Sequence, residues 1–233
     1  MSMLVHVDAA RHSVHLISLP QDLLVDRPEG AATLGRVYAE GGSVATVQAV
    51  QTMLGIHIDH VALTWLDGMS RLIDLLGSVP VDNAIAASSN GFAFPRGQIT
   101  LSGEEALAFV RQGQPAPGEL DRAESQRLVL QGIASRLLTS SSLVNPGTVK
   151  AVLDQLAADI VVDSNLDARR MVELFIGLRA QSGGQDLQAI KLPTAERGTT
   201  PAGDDFVRPD DDRVGALGRA LNTDTVQEWV HSR

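Results

Sequence analysis

Leu101 to Leu130 reads LSGEEALAFVRQGQPAPGELDRAESQRLVL. Ser102 and Glu105 stand at the S-x-x-E spacing of a capping box. This predicts a helix that starts at Ser102, buries Ala106, Leu107 and Val110, and ends near Arg111. The following QGQPAPGE carries two prolines and two glycines and cannot extend that helix. A second helix is expected from Asp121, where Glu124 repeats the cap-like spacing. Its apolar stripe is Leu130, Ile133, Ala134 and Leu137, with Arg122, Ser125 and Gln126 sharing another face one turn earlier. Two helices meeting at a polar loop bring Arg111, Arg122 and Gln126 within reach of one anion. A guanidinium suits that role because its planar fork of donors matches phosphate or carboxylate oxygens. The same spacing equally fits solvated charges, or ion pairs with Glu119, Asp121 and Glu124, which is the commoner use of charge on helices.

The composition narrows the function classes. A chain of 233 residues with 44% hydrophobic residues can bury a sizeable core, and with 3% aromatics that core must be aliphatic. A net charge of −9, with no basic cluster to override it, repels a polyphosphate backbone and argues against nucleic-acid binding. The absence of cysteine excludes disulfides, thiolate metal sites and a cysteine nucleophile. No run of about 18 apolar residues is present, so no membrane span is expected within the sequence.

From the N-terminus, Met3–Asp8 and Ser13–Leu19 alternate around the turn DAAR and predict a β-hairpin. His6, His12 and His15 lie on or beside it without the partner spacing of a metal site. Helices are expected over Arg36–Glu40 and Ser43–Leu54, parted by Gly41-Gly42 and closed by Gly55. Ile58–Thr64 reads as a strand that sends His57 and His60 to opposite faces. Asp67 is expected to cap a helix through Leu76, with Gly77 closing it and a short strand at Val79–Val81. Asn83–Gln98 predicts a hairpin or flap whose Phe92 and Phe94 either line an apolar groove or anchor the loop.

Further along, Asn145-Pro146 predicts a helix to Ala157, followed by a strand at Ile160–Val162, a helix at Leu166–Leu178 and a strand at Leu187–Leu192. TAERGTTPAGDD is expected to be a loop. Asp210–Asp212 should open the last helix, with calcium binding the weaker alternative because EF-hand spacing is missing. The alternation predicts an α/β fold, an αβα sandwich around a central mixed sheet.

The run LSGEEALAFVR, a loop, then ELDRAESQR resembles the signature of the LytR-CpsA-Psr family, L-G-x-x-A-L-x-Y-[VA]-R-x-R, a loop, D-x-x-R-x-x-R-Q. HVDAARHSVHLISLPQDLLVD resembles that family's hairpin ending in Ser-Ile-Pro-Arg-Asp, and VYAEGG and LGIHIDHVALTWLDGMSRLIDLLGSVPVD follow in family order. The resemblance covers most of residues 2–140 and implies a single LytR-CpsA-Psr-like domain over 1–233, with strands and helices of the C-terminal part over 145–233. Ser2 and Met3 resemble the tail of the family's acidic motif, which implies an N-terminal membrane helix and first strand upstream.

The resemblance implies a phosphotransferase on the extracytoplasmic face of a bacterial membrane. Such an enzyme moves a glycan from polyprenyl pyrophosphate to a cell-wall hydroxyl, typically on peptidoglycan, and the family's "transcriptional attenuator" label is not to be taken literally. It also implies an apolar tunnel for the lipid and a magnesium ion whose aspartates would precede Met1. Arg111 and Arg122 match family arginines, Gln126 the family glutamine, Glu119 the loop aspartate, and Asp22 the hairpin aspartate. Gln21, Gly113 and Ser125 stand where the family generally has arginine, and Thr33 and Gly35 where it commonly has lysine and asparagine. Two readings follow: a divergent transferase, or a non-catalytic relative that binds the lipid-linked glycan or a wall enzyme. A cytosolic α/β regulator is a third.

Overall fold

A computed structural model describes residues 2–10, 12–111, 122–139, 146–166, 170, 173, 186–200 and 203–232. In chain order its strands are β1 (Ser2–Val7), β2 (Ser13–Leu19), β3 (Leu24–Val25), β4 (Ala32–Thr33), β5 (Ala62–Thr64), β6 (Val79–Asn83), β7 (Ala87–Ser89), β8 (Phe92–Phe94), β9 (Gly97–Leu101), β10 (Ile160–Val162), β11 (Asp186–Lys191), β12 (Thr194–Thr199) and β13 (Asp205–Pro209). The helices are α1 (Leu34–Leu54), α2 (Leu66–Leu75), α3 (Gly103–Val110), α4 (Arg122–Thr139), α5 (Pro146–Asp159), α6 (Asp211–Asn222) and α7 (Val226–His231). The fold is mixed α/β, and its contacts divide into two units, residues 1–59 with 188–233 and residues 60–187.

In the first unit β1 pairs antiparallel with β2, from Ser2 opposite Leu19 to Val7 opposite Val14, and β11 extends this sheet. The hairpin turn is tied by Asp8 Oδ1, which accepts from the amides of His12 (2.7 Å) and Ser13 (3.1 Å). The β3–β4 and β12–β13 pairs are antiparallel, and a parallel bridge from Leu23 to Val207 joins them, so both strand senses occur. Thr33 caps α1 by accepting from the Arg36 amide, and Gly55 ends it in the left-handed region. Gly42, at φ 63° and ψ −156°, breaks the helix into the two segments expected from the Gly-Gly pair. Ile17, Leu23, Leu34, Val37, Val50 and Leu217 form the aliphatic core. Helix α6 comes so close to the end of α1 that a Cβ on Gly218 would lie 1.8 Å from the Leu54 carbonyl oxygen.

In the second unit β6 pairs with β9, and β7 with β8 across an Asn90-Gly91 turn in which both residues have positive φ, the geometry that matches strand twist. This is the hairpin expected over Asn83–Gln98. Phe94 is a core anchor, edge-on to Phe109 with ring centroids 5.1 Å apart, while Phe92 is half-buried. Asn83, fully buried, donates from Nδ2 to the carbonyls of Phe94 (3.0 Å) and Pro95 (2.9 Å).

Several expectations are corrected. The strand expected from Ile58 is confined to Ala62–Thr64, because side chains take the earlier amides: Gln51 Oε1 accepts from Ile58 N (2.7 Å) and Asp163 Oδ2 from Val61 N (2.7 Å). The cap of α2 is Trp65, without a side-chain bond, and Asp67 lies inside the first turn, where its charge still complements the helix dipole. TAERGTTPAGDD forms most of the β12–β13 hairpin. The residues of its first strand, β12, are nearly all exposed, which is why no apolar alternation announced it. Asp210 caps α6 as expected, but α7 follows, so α6 is not the last helix. The caps expected at Asp121 and Asn145, and most of the helix expected at Leu166–Leu178, lie outside the described residues, of which Arg170 and Glu173 are helical. No helix of the described residues is long and apolar enough to cross a membrane.

His60 Nδ1 sits 3.3 Å from Asp163 Oδ2, and the Val61 amide, more than any other contact, holds the Asp163 carboxyl below the usual carboxylate range. A depressed folded-state pKa contributes stability that is present above the unfolded value of about 4 and lost as pH falls through the folded one. Asp163→Asn is therefore expected to flatten the acid limb of a pH–stability curve measured by urea unfolding. An unchanged limb would remove Asp163 from that role.

Candidate functional site

Ser102 Oγ accepts from the Glu105 amide and Glu105 Oε2 from the Ser102 amide (2.8 Å), so the capping box is closed from both sides. The helix it starts buries Gly103, Ala106, Ala108, Phe109 and Val110, while Leu107 is half-buried rather than inward. Arg111 is the C-cap, where the intrahelical bonds end and the side chain is released, with its amide donating to Leu107 O. Its side chain is 52% exposed and lies 3.9 Å from the carboxylate of Asp67, itself 74% exposed. This is a loose surface pair, too long to be a hydrogen bond.

The stripe read in the sequence packs against the core through Leu130, Ile133 and Leu137, and the inward face of α4 extends beyond it. Ser125, Leu128, Val129, Gly132 and Ile133 are buried, and Leu130, Ala134 and Leu137 are half-buried. Small residues explain the difference, since a Cβ on Gly132 would lie 2.5 Å from the Pro80 carbonyl oxygen, so α4 presses directly on β6. Arg136 Nε donates to Ser78 O (2.9 Å) and fastens the same contact. Ser125 thus belongs to the packed face, and its hydroxyl has no hydrogen-bond partner among the described residues. Gln126 is half-buried beside it. Glu124 forms a short ion pair with Arg127, both side chains largely buried, a pairing that the cap reading of Glu124 missed although the i, i+3 spacing carries it. Arg122 opens α4, and Glu119 and Gly113 lie outside the described residues.

Asp22 and Gln21 belong to the first unit, where they line an open cleft of about 500 Å³ together with Thr33, Arg36, Asp204 and Asp205. Gly35, also on the wall, donates its amide to Gln21 O (2.7 Å), and a Cβ there would meet that oxygen at 3.2 Å. Arg36 Nε donates to Glu40 Oε1 (2.7 Å), and Arg27 reaches the other oxygen of Glu40 (2.6 Å). The Glu40 carboxylate, and more weakly Asp204, holds the Arg36 guanidinium above its ordinary value. Asp204 and Asp205 were missed in sequence because their stretch reads as loop. No group of three or more His, Asp or Glu side chains among the described residues is arranged to hold a metal ion.

The fold and these helices define a mixed α/β protein whose exposed arginine is delivered by a capped helix. The chain belongs to the LytR_cpsA_psr family, whose model matches residues 1–222. The polyisoprenyl-teichoic acid–peptidoglycan teichoic acid transferase TagU of Halalkalibacterium halodurans is 33% identical over 166 residues, 69% of this chain and 53% of that protein. The cell wall biosynthesis protein LcpA of Corynebacterium glutamicum is 31% identical over 181 residues, 76% of this chain and 34% of that protein. The chain thus spans about half the length, or less, of these curated relatives. Among solved structures, TagV of Bacillus subtilis superposes with a TM-score of 0.78 over 96% of this chain and 87% of that one at 21% identity, a likeness of fold.

The buried Ser125 hydroxyl makes a test of packing. Ser125→Ala is expected to raise unfolding free energy by about 1 kcal/mol, because an unpaired buried hydroxyl is removed. Ser125→Arg, the residue that the family resemblance implies at this position, is expected to lower it by about 3 kcal/mol or more through overpacking and a buried charge. Urea denaturation of both variants checks the pair, and destabilisation by alanine would show that the hydroxyl is partnered.

Proposed function

We propose that this chain is the glycan-transferring part of a cell-wall glycopolymer transferase acting at the extracytoplasmic face of a bacterial membrane. Its donor would be a glycan on polyprenyl pyrophosphate, and its acceptor a hydroxyl of peptidoglycan. The observation that carries this reading is the closed capping box of α3, which delivers Arg111 to the helix end in a chain 33% identical to a polyisoprenyl-teichoic acid–peptidoglycan teichoic acid transferase.

In the proposed reaction the acceptor oxygen attacks the phosphorus bonded to the glycan. The bond to the bridging oxygen breaks, polyprenyl phosphate leaves with the electron pair, the hydroxyl loses its proton, and a phosphodiester remains. Charge builds on the phosphoryl oxygens during this exchange, and a guanidinium held beside them stabilises it. Arg111 supplies one such group, and Arg122 at the start of α4 is assigned the second, with Gln126 as a neutral donor.

A second reading, binding of the lipid-linked glycan without transfer, is favoured by Ser125, where burial leaves no place for an arginine. A soluble prenyl pyrophosphate titrated against the chain tests what the two readings share. Arg111→Ala and Arg122→Ala are each expected to weaken binding at least tenfold, the scale of a lost charge-assisted hydrogen bond of about 1.5–3 kcal/mol. Unchanged affinity would take that residue out of the site. Transfer of label from a lipid-linked glycan to peptidoglycan then separates the readings: product supports the transferase, and binding without product supports the second.

A further inference from the structure

The tip of the β7–β8 hairpin carries a chemistry of its own, independent of any phosphoryl step. An asparagine followed by glycine cyclises without an enzyme. The glycine amide, deprotonated by solvent base, attacks the asparagine Cγ, a new N–Cγ bond forms, the Cγ–Nδ2 bond breaks, and ammonia leaves with the proton. Water then opens the five-membered imide at one of its two carbonyls. Opening at Cγ leaves aspartate, and opening at the main-chain carbonyl leaves isoaspartate, whose backbone runs through Cβ. One water is consumed and one ammonia released, and no electrons are exchanged.

The chain has five asparagines, and their surroundings separate them. Asn90 alone precedes glycine. Asn145 precedes proline, whose nitrogen has no proton to give up, and Asn165 precedes Leu166, a branched side chain beside the attacking nitrogen. Asn83 Nδ2 is held by the carbonyls of Phe94 and Pro95, and Asn222 Nδ2 donates to Gly55 O (2.9 Å). Asn90 and Gly91 are both exposed, and a Cβ on Gly91 would meet nothing within 4 Å. Water and solvent base therefore reach the turn.

The turn itself opposes the reaction. Its central residues stand at φ 50° (Asn90) and φ 84° (Gly91), which makes it a type I′ loop. Closing the imide needs a rotation about the Asn90 Cα–C bond that this loop does not hold, so the tip must open first. Opening costs little here. Ala87–Ser89 pairs with Phe92–Phe94 in a two-stranded sheet of its own, and none of Ala87, Ser88 and Ser89 is buried. So short a hairpin is marginal and opens locally. Below the tip, the Asn83 bonds and the edge-on contact of Phe94 with Phe109 hold the base in place.

We infer that Asn90 is a site of spontaneous covalent modification, which converts to aspartate and isoaspartate through an imide with Gly91. Each event adds one carboxylate at the hairpin tip. Aspartate keeps the turn, since Asp-Gly suits the same type I′ geometry. Isoaspartate adds a backbone atom to the loop and displaces the pairing of Ser89 with Phe92, a change that ends at the Asn83 clamp.

The test incubates the full folded chain at mildly alkaline pH and follows the tryptic peptide of residues 72–96 by mass spectrometry, with the position read by fragmentation. Isoaspartate is tagged by protein isoaspartyl methyltransferase with a labelled methyl donor. Position 90 is expected to gain the mass of a hydroxyl replacing an amino group, in both isomeric forms, before any other asparagine changes. The rate should lie within about a hundredfold of that in the urea-unfolded chain, as a cheap local opening requires. Asn90→Gly, whose Gly-Gly pair keeps the turn, should abolish the gain and leave the thermal midpoint unchanged. Protection beyond about a hundredfold in the folded chain would overturn the inference. So would earlier conversion at another asparagine, or a gain that persists in Asn90→Gly.

Discussion

The bond from the Gly103 amide to Asp74 Oδ1, at 2.8 Å, sets the second unit's geometry. It forms because Gly103 has no side chain: a Cβ there would sit 2.3 Å from the Ser70 carbonyl oxygen, so the start of α3 rests directly on α2. With the capping box closing the same turn, both the position and the direction of α3 are determined at its first residues. At about 1.5 Å of rise per residue the helix then delivers Arg111 at a fixed distance from that joint. Phe109 and Val110, the last two residues of α3, are buried and keep the last turn from fraying. Helix α4 is referenced to the adjoining segment, with Gly132 against Pro80 and Arg136 on Ser78. Both helices of the candidate site thus take their positions from residues 70–80.

The legible parts of this fold are those whose cause is local. Ser102 with Glu105, the Gly41-Gly42 break, Gly55 as a C-cap and Asp210 as an N-cap each act within one helical turn, and each stands where the spacing puts it. Position 58 was illegible because the partner of its amide is Gln51 on a helix, and that of Val61 is Asp163, distant in sequence. The β12–β13 hairpin was illegible for another reason. The residues of its first strand, β12, are nearly all in solvent, so selection for burial leaves no alternation to read there. On α4 the stripe Leu130, Ile133 and Leu137 was legible, and the rest of the inward face was not because Ser125 and Gly132 occupy it. Close approach of backbone to backbone favours small residues, and small residues do not stand out in a hydrophobic pattern.

The site shows the same division. Arg111 follows from a helix that ends where its cap and its loop say it must. The cleft around Asp22 joins segments from both ends of the chain, and neither segment alone signals a wall. The acidic pair Asp204-Asp205 acquires its meaning from the Val207 to Asp22 main-chain bond, which no spacing rule contains.

The neutral residues at positions 21 and 125, where the family resemblance implies arginine, sit in physically different surroundings. At position 125 the surroundings are those of packing: a fully buried serine lies on a helix pressed against β6. At position 21 the change is one of field: a neutral amide now stands among carboxylates whose nearest cation, Arg36, is held by Glu40. Adding one charge back at either place meets a structure arranged around its absence. Under the proposed function, anion binding in the second unit would fall to groups whose present partners cost little to leave. Arg111 is such a group, since a solvent-exposed pair at 3.9 Å contributes under about 1 kcal/mol, less than a desolvated phosphate would return. The loose contact to Asp67 keeps the guanidinium near the end of α3 without consuming the donors that a phosphoryl oxygen needs.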